Sequence, residues 1–193
     1  MTRQFADRFL HTTARERGVA KRALQIVVIG IALGACRGSE PNALAVRKTP
    51  VAVGDTAPRF AALSLAGDSL IVGNAVGGVT LLNVWATWCT SCKEEFSELE
   101  RYRKTFAANG LRVVAVSVDQ GSDVKVRKFV EAQGAQFPVA HDAAARIQAM
   151  YGVGGLPTTY LLDAQGKVLW RAVGDFRLDS AGMATAISAA LAK

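Results

Sequence analysis

Two cysteines, Cys89 and Cys92, stand two residues apart within "WATWCTSCKEEF", which runs from Trp85 to Phe96. Such a pair can be a redox couple, half of a zinc site or a small structural staple, and the rest of the chain separates the three. A structural zinc needs four ligands, commonly two such pairs or one pair joined to a histidine pair. Once Cys36 is assigned elsewhere, as argued below, the chain beyond it offers Cys89, Cys92 and His141 and no fourth ligand of that set. No metal is therefore expected. A staple across so short a loop would constrain the unfolded chain very little. Thiol–disulfide exchange is the economical reading, and it calls for no cofactor beyond the Cys89–Cys92 disulfide itself.

The elements on either side decide what each thiol does. Val79 to Trp85 ("VTLLNVW") is a continuous apolar run suited to a central strand covered on both faces. Ser91 to Ala108 reads as a helix stopped by Asn109-Gly110. Cys89 then sits just ahead of the first turn, where unpaired N–H groups and the positive end of the dipole stabilise an anion. A thiol there falls below its usual pKa of about 8.5, which makes Cys89 the nucleophile. Cys92, one turn deeper, is placed to attack the mixed disulfide and release the partner.

Helical angles of about 100° per residue sort the side chains that follow. Phe96, Leu99 and Phe106 fall within about 40° of Cys92 and define the buried stripe, whereas Glu94 lies on the far side and faces solvent. Glu95 lies about 60° from Cys92, at the edge of the stripe. Two readings of Glu95 stay open on angles alone. A sheltered carboxylate would have a raised pKa and relay protons as Cys92 is deprotonated or released; an ordinary helix glutamate would pair with Arg101 or Arg103. Asn83, in the preceding strand, is uncharged and leaves Glu95 the leading carboxylate. His141, beside Asp142, reads as a solvated loop residue rather than a general base.

Further along, strand-like and helix-like blocks alternate, the pattern of an α/β domain. Phe60 to Leu65 and Ser69 to Val72 form a leading hairpin over Ala66-Gly67-Asp68. Leu111 to Val118 is a second buried strand, and Asp123 to Gln133 a second helix capped by Ser122 or Asp123. Asp142 to Tyr151 reads as a helix ended by glycines, Thr158 to Leu162 and Lys167 to Val173 as a hairpin, and Asp179 to Ala192 as the last helix. Pro157, directly before a strand and after a glycine-rich stretch, is a candidate for a cis peptide bond, although trans is the ordinary form of an X-Pro bond.

The formal charge of +7 over 193 residues is unevenly spread. Residues 1 to 35 hold six basic and two acidic residues, so +4 sits there and +3 beyond. No basic stripe with interleaved aromatics follows, which argues against nucleic acid as a partner. After Lys21-Arg22 the run "ALQIVVIGIAL", Ala23 to Leu33, is too short to span a membrane and fits the apolar core of a signal peptide. It ends in Leu33-Gly34-Ala35-Cys36, which resembles a bacterial lipobox with Cys36 as the lipidated new N-terminus. Residues 1–35 are thus expected to be a lipoprotein signal peptide, 36–53 a lipid-anchored flexible linker and 54–193 the catalytic domain. Acyl chains add about 0.8 kcal/mol of membrane affinity per buried methylene. The domain is expected outside the cytoplasm, on the periplasmic or extracytoplasmic side, where disulfides persist.

The segments "LLNVWATWCTSCKEEF" and, about sixty residues on, "YGVGGLPTTYLLDAQGKVLW" resemble the exported TlpA-like and ResA-like thiol-disulfide oxidoreductases of the thioredoxin superfamily. The similarity runs from "GDTAPRF" at Gly54 to the last helix. It implies an α/β thioredoxin fold with an N-terminal β-hairpin extension and an inserted helix before the cis-Pro loop. It implies a cis bond at Pro157, with Trp88, Leu156 and Pro157 binding an extended substrate segment, and a part for Glu95 in the thiol chemistry. It further implies keeping exported proteins' thiols reduced by reducing or exchanging their disulfides, as in cytochrome c maturation, with electrons from a membrane thiol donor. The proline often found two residues after that glutamate is Ser97 here, which bears on the bend of the first helix. Two rivals remain. A peroxiredoxin-like peroxidase shares the "GDTAPRF" opening but needs a P-x-x-x-T-x-x-C arrangement, and Val84 to Cys92 contains no proline. A non-catalytic adaptor lipoprotein would have no need of either thiol.

Overall fold

The structure is a computed structural model that describes residues 49–74 and 77–193. The expected signal peptide, Cys36 and most of the linker lie outside the described residues. Thr49 to Val53 are described, and here the chain is already tied to the domain. Val51 is buried and its N–H donates to the Tyr151 carbonyl at 2.8 Å. Gly152 makes the approach possible: its φ is +63°, and a Cβ there would stand 2.8 Å from Pro50 Cα. Within the described residues, the segment just ahead of Gly54 is thus packed on the domain.

Strands β1 (Phe60–Leu63) and β2 (Ser69–Val72) form an antiparallel hairpin. The first strand ends two residues early because Ser64 turns the chain, its Oγ accepting from the N–H groups of Ala66 and Asp68. The central sheet contains β3 (Val79–Trp85), β4 (Leu111–Ser117), β5 (Val139–His141), β6 (Thr158–Leu162) and β7 (Val168–Val173) in the order β5-β4-β3-β6-β7. Strands β3, β4 and β5 run parallel, and β6 and β7 run antiparallel to β3 and to each other, respectively. Helices α1 (Thr90–Phe106) and α2 (Val124–Gln133) connect the parallel strands, α3 (Arg146–Tyr151) precedes β6, and α4 (Ser180–Leu191) follows a short 3₁₀ turn at Phe176–Asp179. This is the expected thioredoxin architecture with its leading hairpin and extra helix.

Two apolar layers hold the sheet. On one side Leu81, Trp85 and Leu161 meet Cys92, Phe96, Leu99 and Tyr102 of α1 and Met183 and Ile187 of α4. Directly under the cysteines, Phe96 stacks edge-on against Trp85 at 4.4 Å and against Phe129 at 4.9 Å. Removing such a ring costs about 3–5 kcal/mol. On the other side Leu82, Val84, Tyr160 and Leu162 meet the hairpin through Phe60 and Val72 and α3 through Ile147 and Tyr151. The alternation of Leu81 and Trp85 with Leu82 and Val84 is the two-residue period of a doubly covered strand.

Three expectations change. The stretch read as a loop around His141 holds the edge strand β5, whose residues Val139, Ala140 and His141 pair with Ala115, Val116 and Ser117. Helix α3 begins at Arg146 rather than Asp142, because the Asp142 carboxylate accepts from the Ile147 N–H at 2.8 Å and closes a turn first. Asp123 occupies the cap position of α2, but its carboxylate binds Arg127 Nε at 2.7 Å and caps nothing. With Ser97 in place of proline, α1 runs unbroken from Thr90 to Phe106.

The register gathers one end of the sheet. Trp85 at the end of β3 is level with Ser117 at the end of β4, Val84 is level with Thr158 at the start of β6, and Thr158 with Val173 at the end of β7. The segments that leave these four strand ends therefore emerge together.

Candidate active site

The first of those segments carries the cysteines. Cys89 is the N-cap of α1, with extended backbone (φ −86°, ψ 112°), and its Sγ accepts from the Cys92 N–H at 3.3 Å. Sulfur thus occupies the place that a serine or aspartate oxygen takes in an ordinary cap, where orphan N–H groups favour negative charge. Cys89 and Cys92 form a disulfide, with Cα atoms 5.3 Å apart. Cys92 is fully buried while Cys89 retains 7% of its surface, so a partner can reach only Cys89. Ser91 Oγ lies 3.6 Å from Cys89 Sγ.

One turn below, Glu95 is completely buried. The helical angles place it at the stripe's edge; the turn after β7 closes over it. Its Oε1 accepts from the Phe176 N–H at 2.8 Å and its Oε2 from Asn83 Nδ2 at 3.0 Å. Burial pushes the carboxyl up to about 8, against the lowering effect of those two donors; Asp175 adds to the rise and Arg177 subtracts from it. Neither arginine weighed as its partner reaches it, for Arg101 pairs with Glu98 and Arg103 with Glu100. Glu94 is exposed and pairs with Arg177, as its angle requires.

A second buried carboxylate fixes the approach to the cysteines. Asp119, just beyond β4, accepts from the Thr87 N–H at 2.9 Å, from the Thr87 hydroxyl and from Ser117 Oγ at 2.7 Å. Burial pushes this carboxyl up, but the Thr87 and Ser117 donors and the nearby His141 outweigh it and hold it below its ordinary value. His141 Nε2 lies 2.7 Å from the Asp119 carbonyl oxygen, so it joins this network rather than standing free in solvent.

The facing wall comes from the start of β6. The Leu156–Pro157 bond is cis; Pro157 is buried, and Leu156 packs against the apolar cluster that includes both cysteines. Trp88, immediately before Cys89, is 68% exposed and so presents its indole to solvent next to the disulfide. Among the described residues, no group of three or more His, Cys, Asp or Glu side chains is arranged to hold a metal ion.

Residue spacing did not identify Asn83 as the partner of Glu95, although a signal was present. Asn83 shares the two-residue period of Leu81 and Trp85, which aims it at α1. Thr159, level with Asn83 across the sheet, follows from the antiparallel register, and its Oγ1 accepts from Asn83 Nδ2 at 2.9 Å. Asp119, Thr87 and the Phe176 N–H carried no comparable local signal.

The chain matches the AhpC/TSA family over residues 53–171. A thiol-disulfide oxidoreductase ResA of Bacillus thuringiensis (strain Al Hakam) is 30% identical over 151 residues, which span 78% of this chain and 87% of that protein. The ResA of Geobacillus thermodenitrificans (strain NG80-2) is 38% identical over 121 residues, 63% of this chain and 69% of that protein. Among solved structures, a putative thiol:disulfide interchange protein DsbE from Chlorobium tepidum is similar with a TM-score of 0.66 and 35% identity, covering 73% of this chain and 99% of that one. With a buried cysteine pair capping α1 and a cis proline facing it, the chain belongs to the AhpC/TSA family and, within it, to the ResA-like thiol-disulfide oxidoreductases of thioredoxin fold.

Proposed function

We propose that the protein reduces disulfides of exported proteins while tethered to a membrane through lipid on Cys36. The observation that carries the chemistry is the pairing of a slightly exposed Cys89 at the helix cap with a fully buried Cys92 above a buried Glu95. In the reduced protein the Cys89 thiolate attacks one sulfur of the partner's disulfide, and the other sulfur leaves as a thiolate that takes up a proton. Cys92 then gives its proton to ionised Glu95 and attacks Cys89 Sγ, which frees the partner's second thiol and leaves the Cys89–Cys92 disulfide. A raised Glu95 pKa matches the acid to a thiol near neutral pH, where proton transfer is most effective. Trp88, Leu156 and Pro157 hold the partner as an extended segment over the disulfide. A membrane dithiol donor returns two electrons and two protons to the pair, and no other cofactor takes part. Cytochrome c maturation is the setting in which such a reductant, outside the cytoplasm and close to a membrane, has a use.

Reduction of insulin disulfides by the purified protein tests this reading, with C89A expected to abolish it. Faster turnover of peroxide than of insulin would favour a peroxidase, and full activity of C89A in the cell would favour an adaptor. A redox titration gives the direction: a potential near or below about −250 mV marks a reductant, and one near −120 mV an oxidant.

A further inference from the structure

Asn83 is fully buried, and its amide is half satisfied. Nδ2 donates both of its hydrogens, to Glu95 Oε2 and to Thr159 Oγ1, while Oδ1 has no hydrogen-bond partner. A buried acceptor left empty is costly and calls for a reason. The arrangement suits Glu95 as a carboxylate, which only accepts. It does not suit Glu95 as an acid. The Phe176 N–H belongs to the backbone and can only donate, so it keeps Oε1 as the carbonyl oxygen and leaves the proton to Oε2. That proton would meet the hydrogens of Asn83 Nδ2.

Half a turn about the last torsion of Asn83, which is broad and roughly two-fold, removes the conflict. Oδ1 then accepts from the Glu95 Oε2–H and from the Thr159 hydroxyl, which can donate as readily as it accepts. Each orientation leaves one amide atom unpaired, Oδ1 in one and Nδ2 in the other. The two orientations are thus matched within the amide itself, and the proton on Glu95 decides between them. Charged groups facing Glu95 come from the turn after β7, as Asp175 and Arg177; β3 contributes no ionisable side chain, and Tyr160 of β6 packs on the opposite face of the sheet. On its own helix the titratable groups one turn away are Cys92 when reduced and, toward the C-terminus, Glu98, which is paired with Arg101.

We propose that Asn83 is a positioning residue whose amide turns over when Glu95 gains or loses its proton and passes that change to Thr159, two residues beyond Pro157. The proposal rests on the reading of Glu95 as the group that takes the Cys92 proton. It adds that the wall facing the cysteines is informed of the transfer through one amide. No atoms are exchanged beyond that proton; the hydrogens on Nδ2 and on Thr159 Oγ1 only change partners.

Neutron diffraction on the deuterated, oxidised protein at pH 6 and at pH 10 tests it, because deuterons on Asn83 and Glu95 are then seen directly. The expected result is Oδ1 toward Glu95 at pH 6 and Nδ2 toward it at pH 10. In E95Q, where the Phe176 N–H again fixes the carbonyl oxygen, Oδ1 should face residue 95 at both pH values. The same orientation at both pH values in the unaltered protein would overturn the switch. In solution, N83L should change the proton affinity of Glu95, followed by carboxyl carbon NMR, by less than about threefold, because the amide serves both forms; a rise of about tenfold or more would mark Nδ2 as a fixed donor and overturn the switch. These readouts need no turnover. Full insulin reductase activity in E95Q would remove the proton-relay reading and leave the amide switch to stand or fall on the deuterons.

Discussion

Glu95 and Asp119 are both buried carboxylates at the same end of the central sheet, 0% and 6% exposed, and their ionisation is driven in opposite directions. Loss of water pushes both toward the neutral acid. Asp119 receives two hydroxyls and a backbone N–H, enough to reverse the shift. Glu95 receives one N–H and one amide, and burial wins. What separates a structural carboxylate from a proton-carrying one here is depth together with the count and kind of donors: Glu95 lies deeper under the sheet's end and receives fewer. Asp119 pins the Thr87 loop that delivers Cys89, while Glu95 waits under Cys92 with its proton held to about pH 8.

That contrast breaks first at Glu95. The folded protein holds this proton from an ordinary value of 4.5 up to about 8, so it binds more protons than the unfolded chain across that range. Stability must therefore fall as pH rises through the window, by at most about 5 kcal/mol at 1.36 kcal/mol per unit. E95Q, neutral throughout, should lose this slope: urea unfolding should find it more stable than the parent at pH 9 and close to it at pH 4.5. Equal slopes would mean that Glu95 titrates as an ordinary carboxylate.

The second test has the opposite sign. Asp119 is held below its unfolded value, so its contribution is present above that value and disappears as pH falls through the lower folded one. D119N should cost about 3 kcal/mol at pH 7, the value of charge-assisted bonds in a buried setting, and progressively less in acid. Smaller still, T87V keeps the N–H and removes one hydroxyl, with an expected loss of about 1 kcal/mol. Carboxyl NMR should show Asp119 moving up toward its ordinary range. Least of all in stability is W88A, an exposed site where a change within about 0.5 kcal/mol is expected. Its effect belongs to binding: KM for a protein disulfide should rise while the midpoint of unfolding stays in place.

The roles of the strands and helices explain which of these residues could be seen in the sequence. Cys89, Cys92 and the apolar stripe of α1 follow from one helix and its start, and the Gly-rich approach to Pro157 from the resemblance it supports. Helical angles placed Glu95 at an edge because they describe its own helix and nothing else; its burial is completed by Phe176, eighty-one residues along the chain. Asp119 meets Thr87 across thirty-two residues because β3 and β4 run parallel in one register, which local pattern does not encode. Strand β5 escaped notice for a different reason. It has three residues, begins directly after Pro138, and is held by pairing with Ala115 to Ser117 rather than by a run of its own.

The central claim, that Glu95 handles the Cys92 proton, is tested most directly by the pH dependence of insulin reduction in the parent and in E95Q. The account predicts a parent rate that rises through an inflection near pH 8, where Glu95 becomes a base, and an E95Q rate about 100-fold lower without that inflection. Superimposable profiles would contradict it.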